Sequence, residues 1–246
     1  MNEEAKKGER IAKYLSRAGV CSRRDAEKLI LAGRVSLNGK VLKSPAQNVV
    51  EGDKIYVDNQ RVGGKEPTRL WRYHKPKGLV TTHHDEKGRP TIFENLPDDL
   101  PRVMSVGRLD MTTEGLILLT NNGELARHLE LPATGWTRKY RVRAFGEITQ
   151  ARLDKLQDGV KVDGILYNSI KAKLEKEQGD NVWIEMVLTE GKNREIRKVL
   201  EYLGLKVNRL IRVSYGPFIL GKMAENEVQE IGYKAIKEAL GGKFLD

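Results

Sequence analysis

A short apolar run between two polar loops most constrains the fold of this chain. It comprises residues 116–119 and lies within the stretch GRLDMTTEGLILLTNNG, residues 107–123. An apolar run of this length that is bounded by turn residues is typical of a buried strand. The Asn122-Gly123 pair that closes it is typical of a turn. The sequence therefore predicts a buried strand here, entered through a loop that carries Arg108 and Asp110.

Asp110 has two interpretations on spacing alone. Rigid elements on either side of the loop can orient its carboxylate for chemistry. Alternatively, Asp110, Thr112, Thr113 and Glu114 form a polar turn whose side chains satisfy local amides. Spacing favours the polar turn, so a chemical role for Asp110 depends on the rest of the chain.

Composition narrows the classes of protein. The 246 residues are 39% hydrophobic, which allows a substantial core and two domains. The formal charge of +10 favours a polyanionic partner. Cys21 is the single cysteine, so an intramolecular disulfide framework is excluded, and a reducing cytoplasm is expected. The sequence shows neither a leader pattern nor an apolar run of membrane-spanning length, so we expect a soluble protein without a membrane partner.

Residues 1–62 are predicted to form a small basic module of two helices and a hairpin. The first helix is amphipathic, the second starts at Ser22, and the hairpin turns at Asn38-Gly39. Between Glu9 and Ser44 nine lysines or arginines face three acids. This concentration of charge suits phosphate contacts better than a merely solvated surface. The RNA-binding candidates are Arg10, Lys13, Arg17, Arg23, Arg24 and Arg34.

A larger domain is predicted at residues 70–246, after a flexible linker at 63–69. The expected strands are 70–74, 79–82, 101–106, 165–174, 181–188 and 208–214, with a further strand through Tyr140 and Val142. Helices are expected at 124–129, from Thr149 through Leu156, at 195–203 and at 228–240. Strands and helices that do not alternate regularly indicate an α+β domain around a mixed or antiparallel sheet. Nucleotide-binding glycine patterns are absent, and His83, His84 and Asp85 lack the spacing of metal ligands, so no metal site is expected.

Three motifs in one order resemble those of pseudouridine synthases of the RsuA/RluB kind. They are the stretch 107–123, then Arg138-Lys139-Tyr140-Arg141-Val142, then GKNREIRKVL at 191–200. Residues 16–39 also resemble the alpha-L RNA-binding fold that is named for a small-subunit ribosomal protein of the S-four type. The resemblance implies an alpha-L domain followed by a pseudouridine synthase catalytic domain, and an RNA partner rather than DNA.

The resemblance implies a role for each of several residues. It also implies that the reaction uses no cofactor. Asp110 is the essential residue, as nucleophile at the anomeric carbon or as general base that removes a ribose proton. Arg197 is the first candidate for an ion pair with Asp110, and Arg194 is the second. Tyr140 is expected to stack on the target base, although it could equally be a core tyrosine. Further substrate-binding candidates are Arg108, Arg194, Leu200 as an apolar wall, and Lys139.

The expected partner is ribosomal RNA or a pre-ribosomal particle, and the expected form is a monomer. The stretches GRPTIFENLP, LTEGKNREIRKVLE and NRLIRVSYG look closer to the branch acting on large-subunit 23S RNA than to the 16S branch. The alternative is a non-catalytic RNA chaperone or ribosome-assembly factor in which Asp110 is structural. Sequence-specific DNA binding is disfavoured because the pattern of a dimeric recognition helix is missing.

Overall fold

The structure is a computed structural model that describes residues 8–64, 66–242 and 244–245. Residues 1–7 of the predicted module, Lys65 of the predicted linker, and Lys243 and Asp246 of the predicted larger domain lie outside the described residues. In the described part of the chain, no helix is long and apolar enough to cross a membrane.

The N-terminal unit folds as two short helices against small strands. The Ser22 side chain accepts a hydrogen bond from the Asp25 backbone N–H at 3.0 Å, which caps the second helix as expected. Asn38 and Gly39 both have positive φ and form the predicted hairpin turn. Ile11, Leu15 and Ile30 are fully buried in its core. The elements are β1 (Glu9–Arg10), α1 (Ile11–Arg17), α2 (Arg23–Leu31), β2 (Val35–Leu37), β3 (Lys40–Val41), β4 (Asn48–Val49), β5 (Ile55–Val57) and β6 (Gln60–Arg61).

The larger unit contains the remaining strands and helices. Its first half comprises β7 (Leu70–Lys75), β8 (Met104–Val106), β9 (Glu114–Thr120), α3 (Gly123–Glu130), β10 (Arg138–Phe145) and α4 (Gln150–Asp154). Its second half comprises β11 (Val160–Val162), β12 (Ile165–Tyr167), β13 (Lys171–Gln178), β14 (Asn181–Leu188), α5 (Glu195–Tyr202), β15 (Lys206–Tyr215), β16 (Phe218–Ile219), β17 (Val228–Glu230) and α6 (Tyr233–Leu240). Short 3-10 turns lie at Phe93–Asn95, Pro132–Thr134 and Lys155–Asp158.

Within the described residues, nine strands of the larger unit form one mixed sheet. Its main order is β13-β14-β10-β15-β9-β7-β17, with β8 beside β9 and β16 beside β15. The strands pair antiparallel except β9 and β15, which run parallel. This sheet with its covering helices confirms the predicted α+β class.

Strand β9 is buried at every residue, as the apolar run predicted. Ile117 and Leu119 belong to one hydrophobic core, whereas Leu116 and Leu118 belong to another. Successive side chains of a strand point to opposite faces, so β9 separates the two cores. The loop before β9 is therefore anchored to the most buried strand of the sheet.

Gly115 allows β9 and β15 to approach closely. Its φ is +104°, and a Cβ at this position would lie 2.3 Å from the Arg212 carbonyl oxygen. Such a distance is impossible for a real Cβ, so glycine is required at this position.

Several predicted elements differ from the structure. Residues 79–82 form no strand, and only Val80 makes an isolated bridge, to Thr91. The predicted strand 165–174 is divided into β12 and β13 because the Asn168 backbone N–H donates to the Glu190 carboxylate instead of to a strand. The Thr149 side chain makes no capping hydrogen bond.

The predicted terminal helix 228–240 is divided as well. Its first part is strand β17, which pairs with β7, and only Tyr233–Leu240 is helical. In the N-terminal unit, Glu9–Arg10 pairs with β4, so the first helix begins later than expected.

The segment between the two units is tied to the end of β9. Asn121 accepts a hydrogen bond from the Arg69 backbone N–H at 2.9 Å and donates one to the Pro67 carbonyl at 2.9 Å. Asn122 donates to the Thr68 hydroxyl, and Lys13 of α1 forms an ion pair with Glu124 of α3. The boundaries at residues 62 and 70 stay predictions, as does flexibility over 63–69.

Candidate active site

A cleft of about 1730 Å³ runs between the two units. Asp110 and Tyr140 of the larger unit line it, and so do Arg23 and Arg24 of α2. Basic residues outnumber acidic ones among its described lining residues. The cleft therefore combines a carboxylate, an aromatic ring and an electropositive surface, which suits a flexible nucleic acid.

The Asp110 loop is fixed through its backbone. The Thr113 N–H donates to the Asp110 carbonyl at 2.9 Å, which closes a turn. The Gly78 N–H donates to the Met111 carbonyl at 2.9 Å, and the Thr81 hydroxyl donates to the Leu109 carbonyl at 2.9 Å. Gly78 and Thr81 thus support this loop, and Thr81 belongs to the stretch 79–82 that the sequence predicted as a strand.

Lys75 supports the same loop from below. Its fully buried ammonium donates to the carbonyls of Pro76, Asp110 and Thr113 at 2.9, 3.2 and 2.9 Å. Burial lowers the pKa of Lys75 to about 8, although the nearby Asp110 and Glu114 charges act in the opposite direction. Two of these hydrogen bonds, to Asp110 and Thr113, tie both ends of the turn to the buried lysine.

The side chain of Asp110 faces Arg194. The Arg194 Nη1 lies 3.6 Å from the Asp110 Oδ2, and 36% of the Asp110 side chain is exposed, so a ligand in the cleft can reach the carboxylate. Arg194 has φ +52° and immediately precedes α5.

The structure corrects the order of the two arginines. Arg197 donates to the Thr112 carbonyl at 3.0 Å and to the Val207 carbonyl at 3.3 Å, and it forms no ion pair with Asp110. Arg194 precedes α5 in a left-handed conformation, and Arg197 lies in the first turn of that helix. Both side chains approach the loop, where Arg194 meets the carboxylate and Arg197 meets the backbone. Burial lowers the pKa of Arg197.

Of the other substrate candidates, two line the cleft and two do not. Tyr140 is 8% exposed and lines the cleft from β10. Arg108 is exposed at the cleft, beside Asp110.

Lys139 lies on the opposite face of β10, because side chains alternate along a strand, and it pairs with Glu185 at 3.1 Å. Leu200 is fully buried in the core, and Ile196, one helical turn earlier, lines the cleft instead. Lys139 and Leu200 are therefore not brought to the site.

The six RNA-binding candidates divide into two groups. Arg23 and Arg24 are exposed and line the cleft. The other four contact neighbouring protein groups: Arg10 the Ala46 carbonyl, Lys13 Glu124, Arg17 Glu9, and Arg34 Asp58. The structure thus brings the N-terminal end of α2 to the cleft, whereas α1 is partly used to hold the two units together.

Buried carboxylates hold the two loops that carry Asp110 and Arg194. Burial would raise the pKa of Glu114, but hydrogen bonds from Arg209 and Lys77 prevail and keep it below its ordinary value. At the second loop, Glu195 accepts a hydrogen bond from the Lys192 N–H at 3.0 Å, and burial raises the pKa of Glu195 to about 7.

Sequence reasoning missed two buried cations, Lys75 and Arg212. Arg212 is 2% exposed and lines the cleft from β15. The alternation of strand residues contained a signal for both. Lys75 shares a face with Trp71 and Tyr73, and Arg212 shares one with Leu210, so a period of two places each cation on an apolar, buried face.

Comparison with known proteins gives two matching families. The RNA pseudouridylate synthase family matches residues 69–202, and the S4 domain matches residues 9–55. A solved pseudouridylate synthase superposes with a TM-score of 0.66 at 25% identity, covering 94% of this chain and 100% of the other.

Relatives match over most of the chain. An uncharacterized RNA pseudouridine synthase of Rickettsia typhi is 47% identical over 96% of this chain and 97% of its own. The ribosomal large subunit pseudouridine synthase B of Haemophilus influenzae is 38% identical over 98% of this chain and 70% of its own. That of Shigella flexneri is 41% identical over 87% and 76%. The chain therefore belongs to the RNA pseudouridine synthases, with an S4 domain ahead of the synthase domain.

Proposed function

We propose that this enzyme isomerises a uridine of large-subunit ribosomal RNA and that Asp110 performs the chemistry. The observation that carries the proposal is the ion pair of Asp110 with Arg194, set in a cleft that Tyr140 and the basic end of α2 also line. The large-subunit target is supported by the relatives of Haemophilus influenzae and Shigella flexneri, which are named for that subunit.

The reaction needs no external group. The bond from the ribose C1′ to the base N1 breaks, and its electron pair leaves with the uracil. The detached base turns, its C5 bonds to C1′, N1 gains a proton and the C5 proton passes to solvent. Electrons and atoms balance within the substrate, so we propose that the enzyme uses no cofactor.

Asp110 starts this sequence in one of two ways. Its carboxylate adds to C1′ as a nucleophile, or it removes the C2′ proton to give a glycal. Both routes use the carboxylate as an anion, and Arg194 lies beside it. Tyr140 supplies a flat surface on which the base stacks, and the cleft keeps the detached base from escaping.

The S4 domain holds the RNA while the larger unit acts on one nucleotide. The exposed Arg23 and Arg24 are placed to contact phosphates, which position RNA without reading its sequence. The target must stand out of its stack, so the substrate is a loop or a helix from which the base is flipped. A monomeric form and a cytoplasmic location remain predictions.

Substitution of Asp110 tests the proposal. We expect Asp110→Asn to lower turnover by about four orders of magnitude, because an amide neither attacks C1′ nor accepts the C2′ proton. RNA binding should persist, since asparagine keeps the shape of the side chain. The measurement is tritium release from 23S and 16S RNA labelled at uracil C5, with naked RNA and with assembly intermediates.

Asp99→Asn is the matched control, because Asp99 is exposed and lies outside the lining of the cleft. It should release tritium at the rate of the unaltered enzyme. Tight RNA binding without tritium release from either RNA would support a ribosome-assembly factor instead. Release from 16S RNA alone would contradict the large-subunit target and leave the isomerase assignment intact.

A further inference from the structure

Arg212 lies beside the aromatic ring that is the candidate platform for the base. It pairs with Tyr140 across β10 and β15. Paired residues of antiparallel strands project to the same face of the sheet, with Cβ atoms about 5 Å apart. Both side chains are buried and both line the cleft.

The Arg212 guanidinium makes only part of its possible hydrogen bonds within the protein. Its Nε donates to the Leu116 carbonyl at 2.7 Å, and its Cζ lies 5.2 Å from the centre of the Tyr215 ring. Its Nη2 is buried and has no hydrogen-bond partner among the described residues. An unpartnered buried donor of a charged group is costly, so its retention at a cleft points to a ligand that supplies the acceptor.

Arg138 provides a contrast to Arg212 within the same cleft. It is a buried arginine that lines the same cleft. Its Nη1 donates to the Trp136 and Thr189 carbonyls, and its Nη2 donates to the Glu130 carbonyl and the Tyr215 hydroxyl. Both terminal nitrogens of Arg138 therefore donate hydrogen bonds within the protein, whereas Nη2 of Arg212 donates none.

We propose that Arg212 Nη2 donates a hydrogen bond to a carbonyl oxygen, O2 or O4, of the target uracil and holds the detached base. The proposal rests on the proposed function. A uracil that stacks on Tyr140 presents its edge to the neighbouring side chains. When the C1′–N1 bond breaks, the electron pair on N1 spreads to O2 and O4, so either oxygen becomes a stronger acceptor for a guanidinium.

Lys75 of β7 and Arg212 of β15 both pair with Gly115 of β9, one from each side of that strand. After burial, the Arg212 charge is a further cause of the lowered pKa of Lys75, so the two cations are close enough to interact. A pocket that places buried cations before charge develops stabilises the detached anion without reorganisation.

The test combines enzyme variants with substrate analogues. Large-subunit RNA is assembled by ligation with uridine, 2-thiouridine or 4-thiouridine at the mapped target, each tritiated at C5. Single-turnover tritium release is measured for the unaltered enzyme, Arg212→Met and the matched control Arg138→Met. Sulfur is a weak acceptor, so the unaltered enzyme should be about tenfold to a hundredfold slower on one thio substrate.

Arg212→Met should be slower on uridine by a similar factor and show no further loss on that thio substrate. Arg138→Met should keep the full ratio between the uridine and thio substrates, whatever its stability. If Arg212→Met does not fold, as judged by thermal unfolding, Arg212→Lys replaces it, and its ratio should be reduced. The position of the effective sulfur distinguishes O2 from O4.

Two results overturn the inference alone: equal rates of the unaltered enzyme on all three substrates, or an undiminished thio effect in the Arg212 variant. Absence of tritium release by the unaltered enzyme from unmodified RNA would overturn the proposed function, and the inference with it.

Discussion

Lys75 is the residue that most directly connects the buried sheet with Asp110. Its ammonium donates to the carbonyls of Asp110 and Thr113, at the two ends of the turn that carries Asp110, and to that of Pro76. A protonated lysine has three N–H donors, one for each carbonyl, whereas a neutral amine has only two. Loss of the proton therefore leaves one carbonyl without its partner and loosens the loop.

We expect turnover to fall as the pH rises through about 8, the pKa of Lys75 in the folded enzyme. The contribution of Lys75 to the free energy of unfolding should instead increase as the pH rises. An unfolded lysine keeps its proton to about 10.5, so between about pH 8 and 10.5 the unfolded state binds more protons, and this group makes folding more favourable as pH rises. The measurements are single-turnover tritium release and denaturant unfolding across this range.

Lys75→Met should lack this alkaline decline and show turnover lower by about a hundredfold at neutral pH, since the loop is misplaced. Lys77→Met is the matched control. The Lys77 side chain is 47% exposed and pairs with Glu114, so its variant should retain the decline near pH 8. An identical pH profile in the unaltered enzyme and Lys75→Met would contradict the role of Lys75.

At the scale of elements, the packing of β9 against β15 determines the positions of Asp110 and Arg212 together. Gly115 pairs with Arg212 where the two strands run parallel. We expect Gly115→Ala to destabilise the fold by about 3 kcal/mol or more, because the added Cβ meets the Arg212 backbone and φ is unfavourable as well. Turnover of the folded fraction should fall too, as measured by tritium release after chemical denaturation has given the stability.

The variant Gly88→Ala separates the cost of the unfavourable φ from the cost of the contact between the added Cβ and β15. Gly88 also has positive φ, but a Cβ there meets no atom within 4 Å. Its variant should lose only about 1 kcal/mol, the cost of the backbone conformation alone. Equal losses in the two variants would show that the close approach of β9 and β15 contributes nothing.

The elements also show what the sequence could predict. Strand β9, the alternation along β10 and the apolar face of α5 depend on local patterns, and the structure has all three. Strand β17 depends on pairing with β7, about 155 residues earlier, and no local pattern records that pairing.

The residues of the site were predictable where a local motif determines their position, and not where the backbone conformation does. The motifs placed Asp110 and Tyr140 at a shared cleft, whereas the order of Arg194 and Arg197 depends on the left-handed backbone at Arg194. Lys75 was missed because the predicted strand ended at residue 74, whereas β7 continues to Lys75 on its buried face, and because lysines are seldom buried. Lys139 was assigned to the site by its motif alone, against the alternation that places it on the outer face.

At the scale of the whole molecule, the S4 domain and the synthase domain share one electropositive cleft. We expect the logarithm of RNA affinity to fall linearly with the logarithm of salt concentration. The double variant Arg23→Gln/Arg24→Gln should reduce the slope by about 0.7 to 0.9 for each phosphate that the enzyme no longer neutralises. The measurement is RNA binding by filter retention over a series of salt concentrations.

Arg34→Gln serves as the control, because Arg34 pairs with Asp58 and does not line the cleft. It should leave the slope close to that of the unaltered enzyme. A slope that changes as much in this control as in the double variant would mean that the cleft is not the surface that holds the RNA backbone.

The hydrogen bonds of Asn121 and Asn122 to residues 67–69 connect the end of the interdomain segment to the turn that ends β9. If Arg23 and Arg24 hold the RNA backbone and Asp110 acts on the uridine, as proposed, these contacts restrict the distance between the two points. We therefore expect the choice of uridine to depend on how far it lies, in the folded RNA, from the phosphates bound at α2.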